Sequence, residues 1–249
     1  MSAMMNDAAL AHTLAEEAGA MLLQLRAARP SGGKALGAEG DRVANRFILD
    51  RLLAERPDDA ILSEEEKDNV ARCSISRVWV IDPLDGTREY GEGRNDWAVH
   101  VALAVEGRPV VGAVALPGLG LTLASDKPPA LQPEARPLRM LVSRTRPAAE
   151  AVAVAEALGA ELVPMGSAGA KAMAIVRGEA DIYLHTGGQY EWDNCAPAAV
   201  ALAAGLHVSR IDGSPLVYNC ENPYLPDLLI CHRERAPEIL KMIAKYATA

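Results

Sequence analysis

The 249-residue chain is predicted to fold as an α/β protein, with an N-terminal α+β domain followed by a C-terminal α/β domain. Three observations support this fold class. Short apolar segments of strand character alternate with amphipathic segments of helical periodicity. A stretch with four prolines, Asp126–Pro137, divides the chain into two halves, and predicted strands and helices alternate regularly only in the second. Hydrophobic residues make up 50% of the chain, so it can bury one large core or two modest ones.

The N-terminal half begins with two predicted helices. Apolar residues recur at helical spacing after Asn6 and Asp7, either of which could cap the first helix. The run Pro30–Gly33 breaks the chain, and a second amphipathic helix is predicted to begin near Asp41 and to end before Pro57. Strands are predicted at Ala60–Ser63 and Arg77–Asp82, and an antiparallel hairpin at Trp97–Val105 and Val110–Leu116.

Beyond the proline-rich stretch the predicted strands and helices alternate, which favours an α/β arrangement. We therefore predict an N-terminal domain at residues 1–125, a linker at residues 126–137 and a C-terminal domain at residues 138–249. Strands are placed at Leu138–Ser143, Glu161–Met165, Asp181–His185, His207–Ile211 and Asp227–Cys231. Helices are placed near Pro147–Leu158, Ala168–Arg177, Asn194–Ala204 and Ala236–Tyr246.

The composition argues against some partners and locations. Lys and Arg total 25 against 33 Asp and Glu, a net charge of −8, so neither nucleic acid nor an anionic membrane is the expected partner. A phosphorylated metabolite stays compatible, because bound divalent cations can invert the local field of an acidic site. The four cysteines lie far apart without metal-ligand spacing and indicate free thiols in a reducing compartment. With no signal peptide and no run of roughly 20 apolar residues, a cytoplasmic protein is expected.

The most informative segment is Val80–Thr87 (VIDPLDGT). An apolar strand brings Asp82 to its end, where Pro83 is predicted to stop the ladder because it has no N–H to donate. Asp85 follows three residues later. Two carboxylates on one tight turn, with the carbonyl of Leu84 between them, form the all-oxygen environment that Mg²⁺ prefers.

The same turn could also bind phosphate. Gly86 leaves room for a ligand at the backbone, and the N–H groups of Gly86 and Thr87 would face a phosphate if they open a helix. The alternative is an ordinary capped turn, since Asp-Pro and Asp-Gly are common turn dipeptides, although the whole string is less compatible with it. Haloacid-dehalogenase phosphatases also end an apolar strand in an acidic D-G-T string, but with carboxylates two positions apart, whereas Asp82 and Asp85 are three apart.

The string resembles the D-P-[IL]-D-G-T motif of the inositol monophosphatase superfamily. Upstream, Ile61–Glu65 (ILSEE) resembles the family's Glu-Glu pair at the end of a strand, and Glu191–Asp193 (EWD) resembles its Trp-Asp pair at the start of a helix. Asp41 falls where the family keeps an aspartate that orients water. The resemblance covers most of the chain and implies a five-layer α/β/α/β/α sandwich and Mg²⁺-dependent hydrolysis of a phosphate monoester.

The resemblance also implies a set of metal ligands. Glu64, Asp82 and the Leu84 carbonyl would hold a first Mg²⁺, Asp82, Asp85 and Asp193 would hold a second, and Glu64 would also touch a weaker third. Four acidic side chains close together are untenable without cations, whereas two metal ions can activate water and stabilise the attacking and leaving oxygens.

Catalytic roles are implied for Thr87 and Asp41, which would orient and deprotonate the attacking water, while the N–H groups of Gly86 and Thr87 hold the phosphate. Simpler interpretations stay open at three of these positions. Glu64 could belong to a solvated run of charge, and Asp41 and Asp193 could each cap a helix.

Within the superfamily, the chain most resembles the 3'(2'),5'-bisphosphate nucleotidases of the CysQ type, particularly their actinobacterial branch. The resembling strings are Trp79–Tyr90 (WVIDPLDGTREY), Asp96–His100 (DWAVH), Tyr183–Gly188 (YLHTGG) and Tyr224–Leu229 (YLPDLL). This resemblance implies that the substrate is 3'-phosphoadenosine 5'-phosphate, from which the 3'-phosphate is removed to leave AMP.

Four further residues are candidates for binding this substrate. Gly166, Ser167 and Lys171 resemble the G-S-x-x-x-K motif of the nucleotidases, and a hydroxyl and an ammonium four residues apart on a helix could hold the second phosphate. His185 stands where inositol phosphatases usually have a glutamate that binds ring hydroxyls, which weakens an inositol assignment. His100, between Val99 and Val101 on a strand, is interpreted as structural.

Two alternatives stay open. One is a phosphatase of the same superfamily that acts on inositol 1-phosphate or fructose 1,6-bisphosphate, which relative kcat/KM would separate. The other is a non-catalytic, metal-dependent sensor of bisphosphorylated nucleotides, which would bind nucleotide without releasing phosphate. By analogy with the superfamily, a homodimer is also expected.

Overall fold

The computed structural model of the protein describes residues 5–29 and 31–246. The elements of the N-terminal half are α1 (Asp7–Ala28), α2 (Lys34–Glu55), β1 (Ala60–Ser63), β2 (Arg77–Asp85), α3 (Thr87–Gly91), β3 (Ala98–Val105), β4 (Arg108–Leu116) and β5 (Leu121–Ala124). Those of the C-terminal half are β6 (Arg139–Ser143), α4 (Ala149–Leu158), β7 (Glu161–Met165), α5 (Ala168–Val176), β8 (Ile182–Thr186), α6 (Glu191–Ala203), β9 (His207–Ser209), β10 (Asp227–Cys231) and α7 (Ala236–Tyr246).

The strands form two five-stranded mixed sheets. The first has the order β1-β2-β3-β4-β5, with β1 parallel to β2 and the other pairs antiparallel. The second has the order β7-β6-β8-β10-β9, with β7, β6 and β8 parallel and the pairs made by β10 antiparallel.

Helices cover both faces of both sheets, because successive side chains of a buried strand point to opposite faces. In β2, Trp79 and Ile81 pack against α1 and α2, whereas Val78 and Val80 join the core shared with α5 and α6. That central core also contains Tyr183 of the second sheet, whose other face packs against α4 and α7. The predicted α/β/α/β/α sandwich is therefore confirmed.

The second helix begins earlier than predicted, at Lys34 instead of near Asp41. Two glycines in its first turns lower helix propensity, but both are required by packing. A Cβ on Gly37 would lie 2.6 Å from Cγ2 of Thr87, and one on Gly40 would lie 3.0 Å from Cδ2 of Leu84. The glycines let α2 lie directly against the turn that contains the motif, and Asp41 is an interior helical residue and not a helix cap.

The strand that carries the motif is longer than predicted. Pro83 does not end β2, because pairing with β3 continues to Asp85, with a register shift between Asp82 and Asp85. This irregularity matches the missing N–H of Pro83. β5 was not predicted, and Pro109 lies within β4 rather than in the hairpin turn.

Segment 126–137 contains neither helix nor strand, and the two sheets lie on either side of it in the chain. The division into domains at residues 125 and 138 stays a prediction. Within residues 5–29 and 31–246, no helix is both long enough and apolar enough to cross a bilayer.

Candidate active site

Three carboxylates from two distant parts of the chain meet between the sheets. Asp82 and Asp85 stand at the end of β2, and Asp193 lies in the first turn of α6. Their candidate ligand oxygens all lie within 4.8 Å of one another, close enough to share a metal ion. Because α6 begins at Glu191 and not at Asn194, Asp193 does not precede the helix; its Oδ2 accepts a hydrogen bond from the N–H of Tyr190 at 2.7 Å.

Electrostatic strain is concentrated on Asp82, Asp193 and Glu64. Burial, followed by repulsion from Glu64 and Asp85, raises the pKa of Asp82 well above its usual range. Burial and the charge of Asp85 raise the pKa of Asp193 to about 7. Loss of hydration and the charge of Asp41 raise the pKa of Glu64 to about 7, although part of Glu64 faces solvent. Glu64 interacts with Asp82 and Asp85 but is not one of the three carboxylates whose oxygens lie within 4.8 Å of one another.

The carboxylate of Asp85 differs from its neighbours because donors surround it. Its Oδ2 accepts from the Gly169 N–H at 2.6 Å and from the Ser167 hydroxyl, and its Oδ1 accepts from the Ala168 N–H at 3.1 Å. Burial alone would raise the pKa of Asp85, but the nearby charge of His100, helped by these donors, lowers it to about 2. Asp85 thus stays ionised and ties β2 to the start of α5.

Thr87 and Asp41 form the hydrogen-bonded pair that the resemblance implied. The hydroxyl of Thr87 lies 3.3 Å from Oδ1 of Asp41 and 3.1 Å from the carbonyl oxygen of Leu84, and its one hydrogen can be donated to either. Burial, together with the charge of Glu65, raises the pKa of Asp41 to about 7. A buried carboxyl that titrates near neutrality beside a hydroxyl is suited to proton transfer.

Gly86 shapes the turn between these groups. Its φ of 88° is left-handed, and a Cβ there would lie 3.2 Å from the Cβ atoms of Ser167 and Trp97. The left-handed residue reverses the chain so that α3 begins at Thr87, with the N–H groups of Gly86 and Thr87 in its first turn. The condition set by the sequence analysis, that Gly86 and Thr87 open a helix, is thus met, and phosphate binding by their N–H groups stays a prediction.

A cleft of about 520 Å³ opens beside the carboxylates and is lined from both halves of the chain. Its lining includes the predicted site residues Asp85, Gly86, Ser167, Lys171, His185 and Asp193. The buried ammonium of Lys171 donates to the carbonyl oxygens of Gly166 and Ser167, which leaves one of its three hydrogens for a ligand. Burial lowers the pKa of Lys171.

His185 and the hydroxyl of Ser167 are engaged within the protein. The Nε2 atom of His185 lies 3.0 Å from the carbonyl oxygen of Gly187. Burial, followed by the charge of Lys171, lowers the pKa of His185 to about 4. His185 is therefore neutral at neutral pH. The Ser167 hydroxyl, besides its bond to Asp85, accepts from the Ala170 N–H at 2.9 Å.

Arg146 is a cleft residue that the sequence analysis missed. It lies just after β6, is exposed, and lines the cleft with Lys171. The available signal was a basic run, Ser143–Arg146 (SRTR), after a predicted strand. Binding groups collect at such strand ends, but a surface arginine in a loop has no spacing pattern that singles it out.

The comparisons with known proteins agree with this geometry. The inositol monophosphatase family model matches residues 5–247, so the chain belongs to the inositol monophosphatase family. Members of this family are Mg²⁺-dependent phosphoric monoester hydrolases, and this chain is an enzyme of that class.

Two curated relatives within this family are similar to the chain over most of its length. The chain is 52% identical over 241 residues to the 3'-phosphoadenosine 5'-phosphate phosphatase of Mycobacterium tuberculosis (strain CDC 1551 / Oshkosh), covering 92% of this chain and 90% of the relative. It is 31% identical over 197 residues to the 3'(2'),5'-bisphosphate nucleotidase CysQ of Escherichia coli (strain K12), covering 74% and 80%.

Among solved structures, CysQ from Bacteroides thetaiotaomicron matches with a TM-score of 0.76 and 25% identity, covering 91% of this chain and 97% of that one. Inositol monophosphatase II from Staphylococcus aureus MSSA476 matches with a TM-score of 0.75 and 20% identity, covering 94% and 98%. The second match supports the fold alone.

Proposed function

We propose that the protein hydrolyses the 3'-phosphate of 3'-phosphoadenosine 5'-phosphate to give AMP and phosphate. The observation that carries the proposal is the convergence of Asp82, Asp85 and Asp193 beside a cleft that Lys171 and Arg146 also line. Carboxylates for metal and cations beside the same cleft suit a ligand with two phosphates. The names of the relatives at 52% and 31% identity support the same substrate class.

The donor set fits Mg²⁺. All three clustered groups are carboxylates, and the raised pKa values of Asp82 and Asp193 reflect repulsion that a hard cation would remove. Glu64, Asp82, Asp85, Asp193 and the Leu84 carbonyl are the proposed ligands of two ions, with Glu64 also touching a weaker third. When bound, Mg²⁺ lowers the pKa of water and stabilises charge on a phosphoryl group.

The residues of the chain supply orientation and proton handling. Thr87 Oγ1 holds the attacking water by hydrogen bonding, and Asp41 takes up the proton through that hydroxyl. The N–H groups of Gly86 and Thr87 bind the phosphate that is to be removed. Because the pKa of Asp41 lies at about 7, its carboxyl can accept and release a proton near neutral pH.

The second phosphate is assigned to the cationic part of the cleft. Lys171 has one free N–H, and the guanidinium of Arg146 can bind a phosphate with two parallel hydrogen bonds. Next in the chain to the cleft residues Gln189 and Asp193, the rings of Tyr190 and Trp192 stack with centroids 4.8 Å apart, and Tyr224 meets Tyr190 edge to face. These partly exposed rings offer a flat surface on which a nucleobase can stack. Inositol phosphates have no nucleobase and could not use it.

A substrate panel tests the proposal. With Mg²⁺ present, kcat/KM is expected to be highest for 3'-phosphoadenosine 5'-phosphate, compared with inositol 1-phosphate and fructose 1,6-bisphosphate. A preference for inositol phosphate of more than about tenfold would reverse the assignment. Tight nucleotide binding without phosphate release would instead favour the non-catalytic sensor. The homodimer and a cytoplasmic location stay predictions.

Replacing Thr87 by Ala is expected to lower kcat by a factor of about 10² to 10⁴, because the hydroxyl that couples water to Asp41 is lost. The Mg²⁺ affinity should be retained. Thr87→Ser is the matched control, because it keeps the hydroxyl and removes only the methyl group that packs near Gly37. Steady-state kinetics with a parallel Mg²⁺ titration measure both quantities, and normal turnover in the Ala variant would disprove the role.

Replacing Arg146 by Ala is expected to raise KM for 3'-phosphoadenosine 5'-phosphate by about 10-fold or more, since a charge-assisted hydrogen bond is worth about 1.5–3 kcal/mol. The KM for 3'-AMP, which lacks the 5'-phosphate, should change little. Arg108→Ala is the control, because Arg108 is an exposed arginine at the start of β4, at the opposite end of the first sheet from Asp85. Equal effects on both substrates would remove Arg146 from the second-phosphate site.

A further inference from the structure

A completely buried histidine lies beneath the carboxylate cluster. His100 is on β3, a strand that supplies none of the proposed ligands, and its side chain is 0% exposed. Its Nε2 lies 3.2 Å from Oδ2 of Asp85, and its Nδ1 lies 3.0 Å from the carbonyl oxygen of Trp192. Trp192 immediately precedes Asp193. One imidazole ring therefore connects Asp85 to the backbone beside Asp193.

The contact with Trp192 requires the ring to donate, because a carbonyl oxygen only accepts hydrogen bonds, so Nδ1 carries a hydrogen. The other ring nitrogen, Nε2, makes a close contact with the Asp85 carboxylate without hydrogen-bond geometry. The two contacted groups belong to β2 and α6, which lie in different layers of the sandwich. The distance between these layers at the site is thus spanned by a rigid aromatic ring.

The start of α5 holds this ring in place. A Cβ on Gly169 would lie 2.0 Å from Nε2 of His100, so no larger residue fits while the ring keeps this position. The N–H of Gly169 donates to the same Asp85 oxygen that His100 contacts, at 2.6 Å. The glycine therefore serves two purposes: it admits the ring, and it brings a backbone donor to the carboxylate.

We infer that His100 is a positioning residue for the metal site, which fixes the carboxylate of Asp85 relative to Asp193. The inference rests on the proposed function, because it takes both aspartates as Mg²⁺ ligands. Without His100, the hydrogen bonds that residues 5–29 and 31–246 make to the Asp85 carboxylate all come from the start of α5, and that to the Asp193 carboxylate comes from the N–H of Tyr190. Groups that orient metal ligands typically change metal affinity by about 10- to 100-fold when they are replaced.

Two conservative variants separate the contacts of the ring. In His100→Gln the side-chain amide nitrogen can take the place of Nε2 and keep the close contact with Asp85. In His100→Asn it can take the place of Nδ1 and keep only the bond to Trp192. We expect the Asn variant to bind Mg²⁺ about 10- to 100-fold more weakly and to lose kcat, whereas the Gln variant stays close to the unsubstituted protein.

The measurements are calorimetric titration of the metal-free, substrate-free protein with Mg²⁺, kcat and KM, and the unfolding temperature without metal. Equal losses of affinity in the Asn and Gln variants, in proportion to lost unfolding temperature, would make His100 merely structural and overturn the inference. An Asn variant that binds Mg²⁺ as tightly as the unsubstituted protein would also overturn it. Failure of the proposed function has a different signature: the unsubstituted protein would bind Mg²⁺ without releasing phosphate from 3'-phosphoadenosine 5'-phosphate, and the difference in Mg²⁺ affinity between the Asn and Gln variants would remain. An unsubstituted protein that binds no Mg²⁺ would overturn the inference.

A second measurement needs no variant. The chain has five histidines, which can be labelled with ¹⁵N and observed in the unsubstituted protein. Addition of Mg²⁺ is expected to shift the Nε2 signal of a solvent-protected imidazole whose Nδ1 is hydrogen-bonded, because the carboxylate that Nε2 contacts then binds the ion. If all solvent-protected imidazole signals are unchanged at saturating Mg²⁺, the inference is wrong.

Discussion

Replacing Asp82 by Asn is expected to abolish measurable turnover and to remove Mg²⁺-dependent stabilisation of the protein. Asp82 is the most deeply buried of the clustered carboxylates, and its side chain faces Glu64, Asp85 and Asp193. The amide keeps the size of the side chain but removes the charge that would bridge two ions. Because chemistry and metal binding are both proposed to depend on that charge, no other single replacement in the cluster should have a larger effect.

The same variant is expected to be more stable than the unsubstituted protein when both are metal-free. A buried carboxylate that repels three neighbours costs stability, and an amide does not repel them. Asp50→Asn, on the exposed side of α2, is the matched control. It should change neither the rate of phosphate release nor the unfolding temperature with or without Mg²⁺. Thermal unfolding with EDTA and with Mg²⁺, beside a phosphate-release assay, gives the three measurements. A D82N protein that turns over substrate, or that Mg²⁺ still stabilises normally, would contradict the assignment.

The carboxylates of the motif were predictable because their information is local. Asp82 and Asp85 lie within four residues of one apolar strand, so strand character and turn chemistry place both at one sheet edge. Asp193 is different, because only resemblance connected it to them. The physical cause of its position is the packing of α6 between the sheets, which depends on many weak contacts spread over the chain.

The start of α2 shows where local reasoning fails. Gly37 and Gly40 disfavour a helix in isolation, and the apolar periodicity that predicted this helix begins only after Asp41. In the folded protein, close contact with Thr87 and Leu84 outweighs propensity, because a larger residue at either glycine would push α2 away from the motif. Tertiary packing thus decides both the helix boundary and the position of Asp41.

The contacts of His100 and the place of Arg146 in the cleft could not be predicted for a related reason. A single histidine between two valines looks like any other core residue, and its significance depends on Asp85, Trp192 and Gly169, which come from three other elements. Arg146 acquires its significance only from a cleft that forms between halves of the chain. Residues defined by their partners are not visible in a single sequence.

The stability of the metal-free protein is expected to fall as pH rises from about 5 to about 8, and Mg²⁺ is expected to stabilise the protein much more at the upper end. Asp41, Glu64 and Asp193 have folded-state pKa values raised to about 7, whereas in the unfolded chain they ionise near 4. Over that interval the folded protein binds more protons than the unfolded chain. Stability is therefore complete below the unfolded pKa values and is lost as pH passes through the folded ones.

Asp85 does not change the direction of this effect. Its pKa is lowered to about 2, so its contribution is present above its ordinary pKa and is lost only as the pH falls toward 2, outside the interval. Mg²⁺ replaces the protons that the crowded carboxylates would otherwise need, so it adds little near pH 5, where protons already neutralise them. Unfolding temperatures across the pH range, with EDTA and with Mg²⁺, measure the effect. The D82N protein should show a shallower slope, since one repelling carboxylate is gone. If the unfolding temperature of the metal-free protein did not change with pH, and Mg²⁺ raised it by the same amount at every pH, these carboxylates would not share one site.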